Sequence, residues 1–365
     1  MEEQINMNDV INMNERLIFP YKSNNEQQLY YEALHMIYSR LADETSREIF
    51  RCRLMMTMTG DITQVRKLVL KTEAGIKLND FLKKQSKIYI YGAGIRGQRI
   101  YKMFPEMKWG GYIDCKRTGT CNGLKVIKLE EFRCEEESIV LISNLEGYEE
   151  IREDLLMHGI SKDRIYILDN FEVIAHRNQY FEERCLSFFN KKKGAFLDAG
   201  SFDGADCIRF ANSDLYNNNP IYAFEPDAKN YDNCVKQLEK LSNAKALNIG
   251  LADDSKQVRF LSDKGECSRI TEIGGNIIDI DTIDSIVGQE KVGYIKMDIE
   301  GNEQQAIKGA AVCIKRDKPN LMISVYHKLD DIIEIPRMLL KLNPDYRFCL
   351  GHYSICNADT VLYVF

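Results

Sequence analysis

The chain has 365 residues, 44% of them hydrophobic and 28% charged, with a formal net charge of −6. That length exceeds what one ordinary core organises, so two or three domains are expected. An acidic balance without a dense basic patch excludes a nucleic-acid partner, and no apolar run approaches the roughly 20 residues of a membrane helix, which excludes insertion.

The opening residues, "MEEQINMNDV", lack the basic and apolar regions of a signal peptide. Eleven cysteines lie scattered without a C-x-x-C pair. That pattern fits buried thiols in a reducing cytoplasm, not a disulfide framework or a zinc site. From Gln27 to about Lys71 apolar residues recur at three- and four-residue steps, which predicts helices. Asp43 or Thr45 with Ser46 reads as the start of a second helix and Gly60-Asp61 as a stop. Residues 1–84 are expected to form a helical cap or oligomerisation arm, with His35 in a core or an interface.

Between Lys87 and Asp169 strands alternate with helices: "KIYIYG" (87–92), "GGYID" (110–114), "SIVLISN" (138–144) and "RIYIL" (164–168). The alternation predicts a small Rossmann-like α/β domain over 85–170. Gly92, Gly94 and Gly97 spell G-x-G-x-x-G after its first strand, and Asp114 ends the second. That is the dinucleotide fingerprint of a tight turn, a close backbone approach to pyrophosphate and an acid for the ribose. Two readings stay open: a nucleotide site, or glycines that let a helix pack on a strand. No half with hydride-transfer groups follows, which speaks against a dehydrogenase.

From Phe171 a helix, "FEVIAHRNQYFEERCLSFF", leads into a longer alternation. Its strands are "AFLDAG" (195–200), "IYAFEP" (221–226), "AKALNIGL" (244–251), "VRFLS" (258–262), "VGYIKMD" (292–298), "NLMISVY" (320–326), "YRFCLGHY" (346–353) and "DTVLYVF" (359–365). The last two face each other across a short turn and predict an antiparallel hairpin. A mostly parallel seven-stranded sheet ending in such a hairpin is the outline of a class I methyltransferase fold, here over 171–365. The stretch 263–280 has no readable pattern.

An acid at the tip of the first strand, Asp198, would repel a pyrophosphate but suits S-adenosylmethionine, which carries an ammonium and a sulfonium and no phosphate. Gly200 lets backbone approach the methionine part; Ser201, Phe202, Asp203 and Gly204 continue the turn, and Gly204 opens the helix without a side chain in the way. Glu225, followed by Pro226, can accept from both ribose hydroxyls. Gly250, at the end of the third strand, and Asp298, at the end of the fourth, complete the expected cofactor contacts. In the usual strand order, 3-2-1-4-5-7-6, Gly200, Asp298 and His327 meet at the topological switch point, where α/β proteins bind ligands.

His327, with an unperturbed pKa near ~6.5, is the expected general base. Asp298 would orient it or bind the acceptor, and Glu300 would grip other substrate hydroxyls. Tyr326, Lys328, His352 and Tyr353 are expected acceptor contacts. The same Asp298, Glu300 and His327 could instead hold a divalent metal; the metal-free reading is preferred. His158 and His176 receive no role.

"FLDAGSFDG", "IYAFEP", "YIKMDIEGNEQQAIKGA" and "PNLMISVYHK" together resemble the FkbM-type methyltransferases, over about 195 residues from Phe171 to Phe365. The resemblance implies O-methylation, from S-adenosylmethionine, of a hydroxyl on a natural product or on a sugar of a bacterial surface glycan, and so a place in polysaccharide biosynthesis. It likens the 85–170 module to domains fused to glycan-modifying enzymes. After Gly204, where the family commonly has Thr, this chain has Ala205-Asp206, which places another acid near the cofactor's ammonium. The alternative function is a nucleotide- or nucleotide-sugar-binding protein acting through "GAGIRG", with an inactive methyltransferase-like domain. The sequence names neither the acceptor nor an oligomeric state, and a homo-oligomer is open.

Overall fold

The computed structural model describes residues 24–144, 147–171, 179–261, 269–271, 275–354 and 358–365, so His176 lies outside the described residues. The chain forms two compact units. The smaller comprises 58–177 with 353–358, and the larger comprises the rest.

The smaller unit is built on strands β1 (Lys87–Tyr91), β2 (Trp109–Ile113), β3 (Gly119–Cys121), β4 (Leu124–Ile127), β5 (Ser138–Ile142) and β6 (Ile165–Ile167), in the order β3-β4-β2-β1-β5-β6. All pairs are parallel except β3 with β4. The β3–β4 hairpin is too short for sequence periodicity to reveal. Ile88, Ile90, Val140 and Leu141 are buried along the two central strands, as continuous apolar strands covered on both faces should be. The helix Glu73–Lys83 starts at Thr72, whose hydroxyl accepts from Gly75 N at 3.0 Å.

In the glycine turn after β1, Gly97 serves helix packing, while a Cβ on Gly94 would meet open space. A Cβ on Gly97 would stand 2.0 Å from the Gly92 carbonyl oxygen, so the helix Ile95–Met103 lies directly against the turn. Asp114 turns its carboxylate onto its own chain, accepting from Ala93 N at 2.8 Å, Lys116 N at 2.8 Å and Arg117 N at 2.9 Å. Arg96 is engaged by Asp169 at 2.6 Å. Replacing Gly97 with alanine should destabilise this unit by about 1–3 kcal/mol through overpacking. Trp109, the sole tryptophan of the chain, lies in β2, and its fluorescence during urea unfolding checks the shift.

The larger unit contains β7 (Ala195–Ala199), β8 (Ile221–Phe224), β9 (Ala244–Leu247), β10 (Gly250–Leu251), β11 (Lys256–Leu261), β12 (Arg269–Thr271), β13 (Asn276–Asp281), β14 (Val292–Met297), β15 (Asn320–Ser324), β16 (Phe348–His352) and β17 (Thr360–Val364). Seven of them form one sheet in the order β16-β17-β15-β14-β7-β8-β9, in which only β17 runs antiparallel to its neighbours. This is the class I methyltransferase order expected from the sequence. Strands β10-β13-β11-β12 form a second, smaller sheet.

Three local readings change. The stretch 244–251 is two strands, broken where Asn248 Nδ2 donates to the carbonyls of Glu225 at 2.8 Å and Pro226 at 3.1 Å. Part of 263–280 is strands β12 and β13; in β13 Ile278 and Ile280 share one face, while Ile277 on the other is exposed. The helix expected across 171–189 is, in its described part, only Glu183–Leu186, because Tyr180 takes a left-handed conformation at φ 64° and interrupts it.

The N-terminal helices Asn24–Arg40 and Glu44–Thr59 cover the edge strand β16: Ala42 N donates to Phe348 O at 2.8 Å, and Ser46 Oγ accepts from Leu350 N at 2.9 Å. Capping a sheet edge in this way blocks stray strand pairing. Asp43 starts the second helix, accepting from Ser46 N at 2.7 Å, and Gly60 follows its end at φ 68°. His35 is exposed, so it is not a core histidine. No helix among the described residues is long and apolar enough to cross a membrane.

Candidate active site at the carboxyl ends of the central strands

The parallel register sets Lys296 of β14 opposite Asp198 of β7, and Met297 opposite Ala199. The chain then turns sharply at Gly200, with φ 75°, where a Cβ would stand 1.8 Å from the Asp298 carbonyl oxygen. Only glycine fits between the tips of β7 and β14. Phe202, at φ 50° and exposed, and Gly204, at φ 83° against Cys234, complete the turn into the helix Ala205–Ala211.

Asp198 is fully buried. Its carboxylate pairs with Lys296 Nζ at 3.0 Å and accepts from the Cys207 thiol at 3.2 Å. Lys296 also donates to Gly200 O at 2.7 Å, lies 3.7 Å from Asp206, and sits 5.1 Å above the Tyr180 ring. Burial pushes the Asp198 carboxyl up to about 6 against the pull of Lys296. Burial would lower Lys296, but Asp198, Asp206 and Asp298 outweigh it and raise the ammonium above its ordinary value. The cation that Asp198 meets is therefore the protein's own lysine, and Asp198 works from beneath the glycine turn. Asp206 is likewise engaged, by Arg209 at 3.0 Å.

Glu225, at the tip of β8, is 6% exposed, and its two carboxylate oxygens accept from Phe202 N and Asp227 N, both at 2.9 Å. Burial pushes its carboxyl up to about 7. Ser201 is buried against Cys234, with Oγ and Sγ 3.4 Å apart, and Asp203 accepts from Ala205 N at 3.0 Å. Gly250 leaves room for Ile280, whose Cγ2 lies 3.0 Å from where a Gly250 Cβ would stand, with Pro226 Cβ at an ordinary 3.8 Å.

Across the crevice, β14 and β15 deliver a cluster around one imidazole. His327 Nε2 lies 3.5 Å from both Asp298 Oδ1 and Glu300 Oε2, and Nδ1 lies 2.9 Å from Glu303 Oε1. The Tyr326 hydroxyl donates to Asp298 Oδ1 at 3.4 Å. Burial alone would lower His327, but Glu303, Asp298 and Glu300 outweigh it and push its pKa up to about 9. Burial likewise would raise Asp298, yet Lys296 and His327 hold its carboxyl below the ordinary range. Carboxylates on every side favour the protonated ring.

The expected residues do not all converge. Gly200, Asp298, Glu300, Tyr326 and His327 gather at the tips of β7, β14 and β15, with Lys328 beside Gly301. His352 Nδ1 instead contacts Thr360 Oγ1 at 2.9 Å across the β16–β17 hairpin, and Tyr353 is buried as part of the smaller unit. His158 contacts the Phe132 carbonyl at 3.0 Å. Three site residues were not anticipated. Lys296 shares a strand face with Asp298 two residues on, a period-2 signal available in "YIKMD". Glu303 is the third acid in "DIEGNE", fully buried, and accepts from Ile299 N at 2.9 Å. Tyr180, whose hydroxyl meets Ser324 Oγ at 2.8 Å, carries no sequence signal.

Residues 198–348 match the family model of the methyltransferase FkbM domain, and residues 84–166 match that of C2185-like proteins, N-terminal. Among solved structures, the methyltransferase FkbM of Methylobacillus flagellatus KT is 16% identical, covering 88% of this chain and 99% of that one with a TM-score of 0.48. An rRNA methylase of Streptococcus thermophilus is 14% identical, covering 52% and 94% with a TM-score of 0.32. Fibrillarin of Aeropyrum pernix, solved with S-adenosyl-L-methionine, is 10% identical, covering 48% and 67% with a TM-score of 0.30. No curated protein sequence matches.

Proposed function

We propose that this chain, which belongs to the FkbM methyltransferase family through residues 198–348, moves the methyl group of S-adenosylmethionine onto a sugar hydroxyl of a surface glycan or natural product. The observation that carries the reading is Glu225: a carboxylate at the tip of the second strand, fixed by two backbone N–H groups, beside a glycine turn with φ 75° at Gly200. Each of its oxygens keeps a lone pair for a ribose hydroxyl. The turn 200–204, with Pro226 and Gly250 shaping its far wall, would take the methionine and adenosine parts. Asp298 and Glu300 suit the cofactor's positive charges, and Asp198 and Lys296 brace the turn from below.

In the transfer an oxygen–carbon bond forms as the carbon–sulfur bond breaks. The sulfonium leaves as a neutral thioether and the acceptor's proton goes to a base. Most of the gain comes from alignment of oxygen, carbon and sulfur. With 24% of its side chain exposed against 10% for His327, and Glu300 at 34% on the rim beside it, Asp298 is open to an incoming hydroxyl where His327 is not. We assign Asp298 to that proton, His327 to positioning Asp298 and Glu300, and Tyr326 and Lys328 to the acceptor. Glycan extracts from cells with and without the protein, compared by mass spectrometry, test the reading. It expects a species heavier by one methylene only when the protein is present, and identical spectra across glycans and small glycosides would contradict it.

A further inference from the structure

We propose that Asp298, Glu303 and His327 form a binding site for a divalent first-row metal ion. Each offers one ligand atom, and these atoms all lie within 4.8 Å of one another. Bonds of about 2.0–2.2 Å to one ion put neighbouring ligands roughly 3–4 Å apart, so a small closure of side chains completes the set. The 3.5 Å between His327 Nε2 and Asp298 Oδ1 already falls in that range, and Glu300 stands at the same distance on the rim.

An independent observation points to the same ion. Glu303 is fully buried, and its Oε1 is spent on Ile299 N at 2.9 Å and Gly301 N at 3.4 Å. Its Oε2 has no hydrogen-bond partner among the described residues. His327 Nε2 likewise has no hydrogen-bond partner among the described residues, although the ring is nine-tenths buried, while Nδ1 is held 2.9 Å from Glu303 Oε1. Two buried polar atoms without hydrogen-bond partners among the described residues, Glu303 Oε2 and His327 Nε2, beside converging carboxylates, are costly unless a cation shares them. The backbone is bent to that purpose: Glu300 at φ 54° and Gly301 at φ 95° fold the loop so that Asp298 and Glu303 address one imidazole. One imidazole with two carboxylates favours Mn2+ or Zn2+ over Ca2+.

The role of the ion rests on the methyl-transfer reading: beside Asp298 it would bind the acceptor oxygen and ease loss of its proton. The site itself does not depend on that reading. Metal-stripped full-length protein titrated with MnCl2, followed by the electron paramagnetic resonance of free Mn2+ and by calorimetry, tests it, with Zn2+ as competitor. We expect one ion per chain, bound more than about tenfold more weakly by Glu303→Gln and by Asp298→Asn. Circular dichroism on the same samples shows whether each variant is folded. Wild-type protein that takes up neither Mn2+ nor Zn2+ at millimolar concentration, or folded variants that bind as well as wild type, overturns the site. S-adenosylhomocysteine titrated into the same wild-type sample separates the two ideas: its binding without metal uptake leaves methyl transfer standing, and metal uptake without its binding leaves only the metal site.

Discussion

Replacing Lys296 with methionine is expected to lower the stability of the larger unit by about 3–5 kcal/mol. Lys296 is 4% exposed at its side chain and Asp198 not at all, so the substitution leaves a carboxylate buried without its partner. It also removes the donor to the Gly200 carbonyl, which holds the turn at its left-handed φ. The double variant Asp198→Asn/Lys296→Met should recover most of the loss, because it removes both charges. The sign with pH follows from linkage. Without Lys296 the Asp198 pKa in the folded state rises further above its unfolded value of about 3.9. The penalty relative to wild type therefore grows as pH rises through about 6, where Asp198 ionises in the wild-type fold but not in the variant, and is smallest below that value. Urea unfolding by circular dichroism measures the effect, and Trp109 fluorescence follows the smaller unit separately. A loss below about 1 kcal/mol, or no recovery in the double variant, would show that the pair is not the brace described here.

The second large effect concerns Glu225. Glu225→Ala should weaken S-adenosylhomocysteine binding roughly 10- to 100-fold, the worth of charge-assisted bonds to ribose together with two backbone N–H groups left unpaired. The affinity should also rise with pH through about 7, the value to which burial pushes this carboxyl, because the ionised form accepts best. Folding moves the other way. A carboxyl whose folded pKa is raised contributes stability that is fully present below its unfolded pKa and is lost as pH rises through about 7. Calorimetry from pH 5.5 to 8.5 on wild type and Glu225→Gln separates the two, since the glutamine variant should bind weakly and without the slope. A slope that persists in Glu225→Gln would move the titration to another group.

The sheet was readable because strands such as Ala195–Ala199 and Val292–Met297 are largely apolar runs bounded by turn residues, and a terminal hairpin marks its last two strands. Strands β3, β10 and β12 span two or three residues and leave no periodic trace. Tips rather than partners were legible at the site. "DAG", "FEP" and "MDIEG" announce which residues reach the carboxyl ends of strands, and those positions hold. What they face is a three-dimensional fact: Asp198 reads as an acid awaiting a ligand until register puts Lys296 across from it. His327 reads as an ordinary base until Glu303, in a helix that follows β14, is packed beneath it. Asp114 likewise has backbone partners that the sequence does not announce, accepting from Ala93 N at 2.8 Å.

The account stands on the crevice at the tips of β7 and β8 holding a phosphate-free, positively charged cofactor. Calorimetric titration of the full chain with S-adenosylhomocysteine, NAD and a nucleotide sugar tests this directly. S-adenosylhomocysteine should bind once per chain and lose that affinity in Glu225→Ala. No binding of it, together with nucleotide binding that is abolished by Gly94→Val in the smaller unit, would contradict the account.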